Sequence, residues 1–336
     1  MKRVLVTGAQ GFIGRFVVDQ LLNENVEVLA IGRSPENHLT FTHVITLGNT
    51  QRPAPLPVSI QQTLSESKYY RYQAVDLIDR TGIDNVIASF EPNWVIHLAS
   101  GLRGDPTEKL IAGNIVGTTN LIDSLNSVGN CEKLVIASTC GVYGSLSPGE
   151  PAFVESATHR PADFYSASKS AMEILTRNLA HRYELPTVWG RIFNVVGPGQ
   201  DERHVCGRFV SVATEILRGT KTPEMEVGNL DSTRDFIDVR DVAKAMILIC
   251  KAGVDGTSYN VCNGIEIRIS HILDCVLEAA GLADSIRVNV LPSRDSDVSR
   301  NVGDNSAVKA IGYEPEFDIS KAIKDLMSYY LHFEPT

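Results

Sequence analysis

Three glycines at a spacing of three, Gly8, Gly11 and Gly14, follow the short apolar run Val4-Leu5-Val6. They open a segment, Phe12 to Asn23, with the periodicity of a helix. Gly8 permits a tight turn, Gly11 lets a bound group approach the backbone, and Gly14 allows close helix-strand packing. A second apolar strand, Val26 to Ile31, comes next. This strand-turn-helix-strand opening is half of a doubly wound parallel α/β sheet. The first turn of its helix has backbone N–H groups without intrahelical partners and a partial positive charge, which suits a dinucleotide pyrophosphate. Gln10, Phe12 and Ile13 fill out that cradle.

The alternation continues. Trp94 to Leu98 and Leu134 to Ala137 read as buried strands, and Thr187 to Phe193 as another. Helices are predicted near Thr107 to Gly129 and over Ala162 to Tyr183. After Gly197-Pro198-Gly199-Gln200 the alternation weakens and a second lobe begins. Val242 to Cys250, Ser270 to Ala280 and Ile319 to Tyr330 read as its helices. Residues 33–72 lack clear periodicity and are read as an insertion. It contains the stiff stretch Arg52-Pro53-Ala54-Pro55-Leu56-Pro57, and Ser59 to Ser67 is expected to be helical.

Composition bounds the function classes. A formal net charge of −9 with no Lys/Arg-rich run argues against nucleic acid. The six cysteines, 131, 140, 206, 250, 262 and 275, form no C-x-x-C pair, which argues against zinc or a disulfide framework and suits a reducing cytoplasm. No apolar run reaches the roughly 20 residues that span a bilayer. The first strand starts near Lys2, leaving no room for a signal peptide.

Two positions bear on the choice of dinucleotide. The second strand ends Ile31-Gly32-Arg33-Ser34, with no Asp or Glu for an adenosine ribose and an arginine where a 2′-phosphate would sit. That favours NADPH, with NAD possible; the alternative is a solvated loop arginine. Asp76 and Leu77 end a further strand, where Asp76 either holds the adenine amino group or caps a helix.

The chemistry sits further on. Tyr165 and Lys169 are four apart, one face of a helix, and Thr139 follows a buried strand. A phenol with its usual pKa of about 10 is a poor proton donor and acceptor, and a neighbouring ammonium is expected to lower that value. With the Thr139 hydroxyl on a carbonyl oxygen, the three suit proton transfer alongside hydride transfer. Taken alone, a Tyr and a Lys at this spacing also describe an ordinary surface helix.

Together these motifs resemble the extended short-chain dehydrogenases/reductases of the nucleotide-sugar epimerase/dehydratase group. The likeness extends through His97-Leu98-Ala99, the run from Asn114 to Asn120, Val142-Tyr143-Gly144, Arg191 to Asn194 and Arg234 to Asp241. Gly197 to Gln200 and Val227 to Asp231 place it nearest the GDP-4-keto-6-deoxy-mannose reductase branch. The resemblance implies a Rossmann domain over residues 1–192 with a returning segment at about 232–263. It implies a sugar-nucleotide lobe from 193–231 and 264–330. It places His97, Leu98, Ala99 and Asn114 beside the cofactor, and Asn194, His204, Arg208, Arg234 and Arg294 around a nucleotide-diphosphate sugar. It also implies a homodimer through a four-helix bundle.

Within the group, dehydratases carry their elimination acids directly after the catalytic threonine. Here those positions are Cys140 and Gly141. The expected activity is therefore reduction of the C4 ketone of a 4-keto-6-deoxy sugar nucleotide. An epimerase is the alternative, including one that pairs Cys140 with His204 as GDP-fucose synthases pair theirs. In those relatives the cysteine stands two residues after the catalytic hydroxyl, and Cys140 stands one after Thr139, so a buried thiol and a solvated histidine are preferred. A non-catalytic dinucleotide sensor ranks last, because Tyr165 and Lys169 are both present.

Overall fold

The computed structural model describes residues 2–48, 50–291 and 299–332. The strands in chain order are β1 Arg3–Thr7, β2 Glu27–Gly32, β3 Thr40–Leu47, β4 Thr50–Pro55, β5 Tyr70–Ala74, β6 Trp94–His97, β7 Lys133–Thr139, β8 Thr187–Ile192, β9 Asn194–Val196, β10 Glu224–Val227, β11 Thr233–Arg234, β12 Phe236–Asp238, β13 Ser258–Val261, β14 Ile267–Arg268, β15 Arg287–Val290 and β16 Arg300–Asn301. The helices are α1 Phe12–Asn23, α2 Val58–Glu66, α3 Arg80–Phe90, α4 Thr107–Leu110, α5 Gly117–Val128, α6 Phe164–Arg182, α7 Val205–Leu217, α8 Val239–Ala252, α9 Ile269–Ala280, α10 Ser306–Ala310 and α11 Ile319–His332.

Seven strands form one parallel sheet in the order β13-β8-β7-β6-β1-β2-β5. Alternate residues of each strand feed two cores. Val4 and Val6 pack with Val17, Leu21 and Val242 on one face, while Leu5 packs with Ile83, Val86 and Leu121 on the other. Helices on both faces explain why these strands read as unbroken apolar runs rather than alternating ones. The chain leaves the sheet after β8, and comes back to add β13 beside it in register with Trp189 to Ile192. Between the two, α8 packs against α1 and against β6 to β8.

The insertion is ordered. β3 and β4 form an antiparallel hairpin closed by the pair Leu47↔Thr50, with Gly48 at φ +59°. α2 then runs from Val58, and β5 takes the edge of the main sheet. The prolines explain why no strand was legible over 50–55. Two-stranded pairing leaves one side of β4 without a ladder, so the missing N–H groups of Pro53 and Pro55 are tolerated there. Phe41, Ile45 and Leu47 are buried at alternate spacing, a period interrupted by the irregularity between Thr40 and Val44. The hairpin rests on both lobes. Thr42 N donates to Gln10 O at 3.1 Å, and the His43 ring bonds Gly199 O at 2.7 Å. The Phe41 ring lies where a Cβ on Gly199 (φ +94°) would be. Ser211 Oγ donates to Thr46 O at 3.0 Å and Tyr329 OH to Pro55 O at 2.7 Å.

Candidate active site

The glycine turn is closed by backbone contact. A Cβ on Gly8, at φ +66°, would fall 2.7 Å from Ala99 N, and one on Gly14 would overlap Gly8 O. Gly11 N donates to Gly8 O at 3.0 Å, and no side chain caps the start of α1. The first-turn N–H groups therefore face the turn without an internal acceptor, the arrangement that receives a phosphate. Gln10 is buried with its side chain turned away from this turn. It bonds Pro35 O at 3.0 Å, Tyr72 OH at 2.7 Å and Arg15 Nη2 at 2.9 Å, fixing the segment that follows β2. The Phe12 ring packs edge-on against Phe16, Phe41 and His43, and Ile13 is half-buried beside it. The cradle is a backbone surface; these side chains support it from behind.

Arg33 is exposed one residue past the end of β2. Asp76 accepts from Ile78 N at 3.1 Å, so one of its oxygens closes a turn, while Leu77 is buried against Gly117. His97 is fully enclosed between Thr7 Oγ1 at 2.7 Å and Thr118 Oγ1 at 2.9 Å. Burial pushes its pKa down to about 3, with the Lys169 charge adding to the effect. Thr118 donates to Asn114 O at 2.8 Å, so its oxygen takes the Nε2 proton of a neutral imidazole. Both ring nitrogens are thus engaged within the protein. Leu98 N and Ala99 N are likewise taken, by Thr7 O and Thr7 Oγ1.

Asn114 lies in a π-helical stretch, Ile111–Val116, that joins α4 to α5. Its side chain is sealed from solvent. Oδ1 accepts from Gly101 N at 2.7 Å and from Ser100 Oγ at 2.8 Å, and Nδ2 donates to Ser168 Oγ at 2.8 Å. This one amide ties the loop after β6 to the helix that carries Tyr165 and Lys169.

Thr139 ends β7, where its hydroxyl oxygen accepts from Gly141 N at 3.1 Å. A hydrogen bond from the same hydroxyl reaches the neighbouring Cys140 thiol. Tyr165 and Lys169 lie a turn apart on α6, whose start is capped by Asp163 accepting from Ser166 N at 2.7 Å. The expectation that the ammonium lowers the phenol's pKa is corrected here. Burial dominates and pushes Tyr165 up to about 12, with the Arg103 charge and a Ser100 hydrogen bond pulling the other way. Lys169 is turned into the sheet, where Nζ donates to Ala137 O at 2.7 Å. Burial brings its pKa down to about 8, with Glu173 opposing.

Cys140 follows Thr139 directly, its thiol pushed up to about 12 by burial and by the nearby Asp235 charge. It is no thiolate at neutral pH. A Cβ at Gly141 would overlap Ser166 Oγ, so this position accepts a side chain only if buried Ser166 moves. Asp235 is buried beneath, accepting from Asn263 N and Gly264 N at 2.9 Å each and from Gly303 N at 3.4 Å. Burial raises its pKa to about 7 against those three amides.

On the second lobe, Asn194 Nδ2 donates to Asp235 O at 2.9 Å, and Arg234 Nη1 donates to Thr233 O at 2.8 Å. His204 and Arg208 are exposed at the start of α7. Arg294 lies outside the described residues. Sequence reasoning did not single out Arg103 or Asp163, and it met Asp235 only within the run from Arg234 to Asp241. Among the described residues no group of His, Cys, Asp and Glu is placed to hold a metal ion, and no helix is long and apolar enough to cross a membrane.

The GDP-mannose 4,6 dehydratase family model matches residues 5–326. The chain is 28% identical over 331 residues to the GDP-6-deoxy-D-talose 4-dehydrogenase of Aggregatibacter actinomycetemcomitans, covering 97% of this chain and 96% of that protein. It is 28% identical over 243 residues to the GDP-6-deoxy-D-mannose reductase of Pseudomonas aeruginosa, covering 70% and 80%. Among solved structures, the UDP-glucose 4-epimerase of Thermus thermophilus in complex with NAD superposes with a TM-score of 0.80 at 28% identity, over 99% of this chain and 100% of that one.

Proposed function

The chain belongs to the GDP-mannose 4,6-dehydratase family, and we propose that within it this enzyme reduces the C4 ketone of a 4-keto-6-deoxy sugar nucleotide, GDP-linked, with NADPH as donor. It is an NAD(P)-dependent oxidoreductase of the extended short-chain type; the proposal concerns which reaction it runs. The observation that carries the reading is the floor of the cleft. Elimination of water from an intact hexose needs a carboxylic acid after Thr139, and that place holds the Cys140 thiol and Gly141 packed on Ser166. Two relatives whose names specify redox chemistry on GDP-6-deoxy sugars, at 28% identity each, favour the same side.

The roles follow from the geometry. The α1 amides and the bare glycine turn would donate to the cofactor's pyrophosphate, and the exposed Arg33 past β2 is a guanidinium suited to a 2′-phosphate. The bound dinucleotide supplies the hydride. Thr139, already accepting from Gly141 N, directs its proton at the ketone oxygen. Tyr165, protonated at neutral pH, gives its proton to the forming alkoxide. Lys169, its amine on Ala137 O, sets a positive charge one turn along α6 from the phenol. Asn194, His204, Arg208, Arg234 and Arg294 are assigned to the sugar nucleotide, with guanidinium groups suited to its diphosphate. Phe164, Ile174 and Leu175 on α6, with Ile111 and Val116, leave an exposed apolar strip that suits a homodimer through paired helices.

The test is product analysis by mass and NMR. With NADPH and a GDP-4-keto-6-deoxyhexose, a GDP-6-deoxyhexose should form with one cofactor oxidised per turnover. Water loss from GDP-mannose would overturn the reading. C4 inversion of an intact hexose without net cofactor use would establish the epimerase instead.

A further inference from the structure

We propose that His159 is a pH-sensitive latch. Neutral, it accepts a hydrogen bond from Arg191 and holds residues 153–160 against α6 and β8. Protonated, it releases that segment, together with the turn after Thr139 that is tied to it.

The latch belongs to a buried polar cluster centred on Arg191 of β8, whose guanidinium is used on every side. Nε donates to Glu173 Oε1 at 3.1 Å and Nη2 to Glu173 Oε2 at 2.8 Å. Nη1 donates to Tyr143 OH at 2.8 Å and to Glu155 O at 2.7 Å. Nη2 also meets His159 Nε2 at 2.8 Å. A guanidinium carries donors only, so His159 Nε2 must accept. The proton of the neutral ring then sits on Nδ1, where it is donated to Ser170 Oγ at 2.7 Å. These two partners together specify both the tautomer and the neutral state of the ring.

The next residue ties the segment to the reacting end. Arg160 N donates to Val142 O at 2.7 Å. Gly144, at φ +80°, packs so closely that a Cβ there would lie 2.4 Å from Arg160 O. Val142 and Tyr143 belong to the single helical turn Cys140–Tyr143, which starts directly after Thr139. Release of residue 159 therefore loosens the backbone that carries Cys140 and Gly141.

The charges around the ring leave no place for a third cation. From α6 come Glu173, 3.8 Å from His159 Nε2, and Arg177; from β8 comes Arg191. The Tyr143 ring stands edge-on at 6.3 Å. On the segment itself, the Glu155 carboxylate is taken up by Asn260 N at 2.8 Å. Glu173 already answers Arg191 at 2.8 Å and Arg177 at 3.8 Å, two cations on one carboxylate. Burial, joined by Arg191 and Arg177, holds His159 below its ordinary value, with Glu173 opposing. A proton on Nε2 would also face the Arg191 N–H, donor against donor. In the released segment the ring regains its ordinary value of about 6.5. The closed state therefore keeps its full advantage above that pH and loses it as pH falls through the lower, closed-state value.

The experiment is amide hydrogen exchange read by mass spectrometry on the full chain, corrected for the intrinsic rate, at pH about 7.5 and about 5.5, on either side of the ordinary histidine value. It compares wild type, His159→Gln and His159→Leu, with melting curves at the higher pH to show that the variants are folded. In wild type, opening of residues 142–144 and 153–160 should be roughly five- to tenfold more frequent at the lower pH. His159→Gln, whose amide oxygen can accept from Arg191 at either pH, should show no such change. His159→Leu offers no acceptor and should be open at both. Equal wild-type protection at the two pH values overturns the proposal without any variant. A pH response that persists in His159→Gln also overturns it, as does wild-type protection in His159→Leu at the higher pH. None of these readouts depends on which sugar nucleotide the enzyme takes.

Discussion

The two ends of the cleft are built of different material. At the cofactor end the surface is backbone, bare at Gly8, Gly11 and Gly14, and the side chains of Gln10 and Phe12 point away from it. At the reacting end the chemistry rests on the side chains of Thr139 and Tyr165, with buried Asn114 and the helix cap Asp163 fixing the segments around them. A backbone surface is specified by what is missing from three positions. A side-chain surface depends on every partner that orients it, most of them remote in sequence. The first end should therefore fail sterically and the second chemically.

The strongest separation is expected from Tyr165→Phe. Turnover should fall by on the order of 10²–10⁴, the usual contribution of a positioned acid, while NADPH affinity stays nearly unchanged. Steady-state kinetics with direct cofactor titration measure both. Turnover within a few-fold of wild type would break the assignment of chemistry to this end.

Gly14→Ala should do the reverse. The added methyl meets Gly8 O and Ala9, which are backbone and have no rotamer to change. Cofactor Kd should rise on the order of 10²-fold and thermal stability should drop by about 1–3 kcal/mol, as for other overpacked sites. Calorimetric binding and melting curves test it; an unaffected Kd would mean that the helix start is not the pyrophosphate site.

Arg33→Ala probes a side chain at the backbone end, and its effect should be the smallest. The guanidinium is exposed, so losing it should cut the preference for NADPH over NADH by roughly tenfold or less. Comparing kcat/KM for the two donors decides it, and an unmodified enzyme that uses NADH equally well would remove Arg33 from the site.

This difference also explains what could be read in advance. The glycine spacing and the apolar runs placed β1, α1 and the main sheet, because those features are local. The Tyr165 and Lys169 pair was legible as a helix face. Its electrostatics were not, since burial holds the phenol high and Lys169 turns toward Ala137. Within residues 33–72 the helix expected over Ser59 to Ser67 is α2, Val58–Glu66, but the hairpin before it was opaque for a different reason. Its strands pair only with each other, carry prolines and break period at one irregularity, so no window shows a clean alternation. The buried His97 illustrates a third case. Its motif marked the right loop, but only the fold reveals that Thr7 and Thr118 occupy both ring nitrogens.

The inserted hairpin has a mechanical consequence. For the lobe that begins after β9 to swing away from the hairpin, several attachments would have to give way together, among them His43 to Gly199 O, the Phe41 ring on Gly199, Ser211 to Thr46 O and Tyr329 to Pro55 O. The same strand is stitched to Gln10, beside the glycine turn. A displacement of the second lobe would therefore be carried along this strand to Gln10.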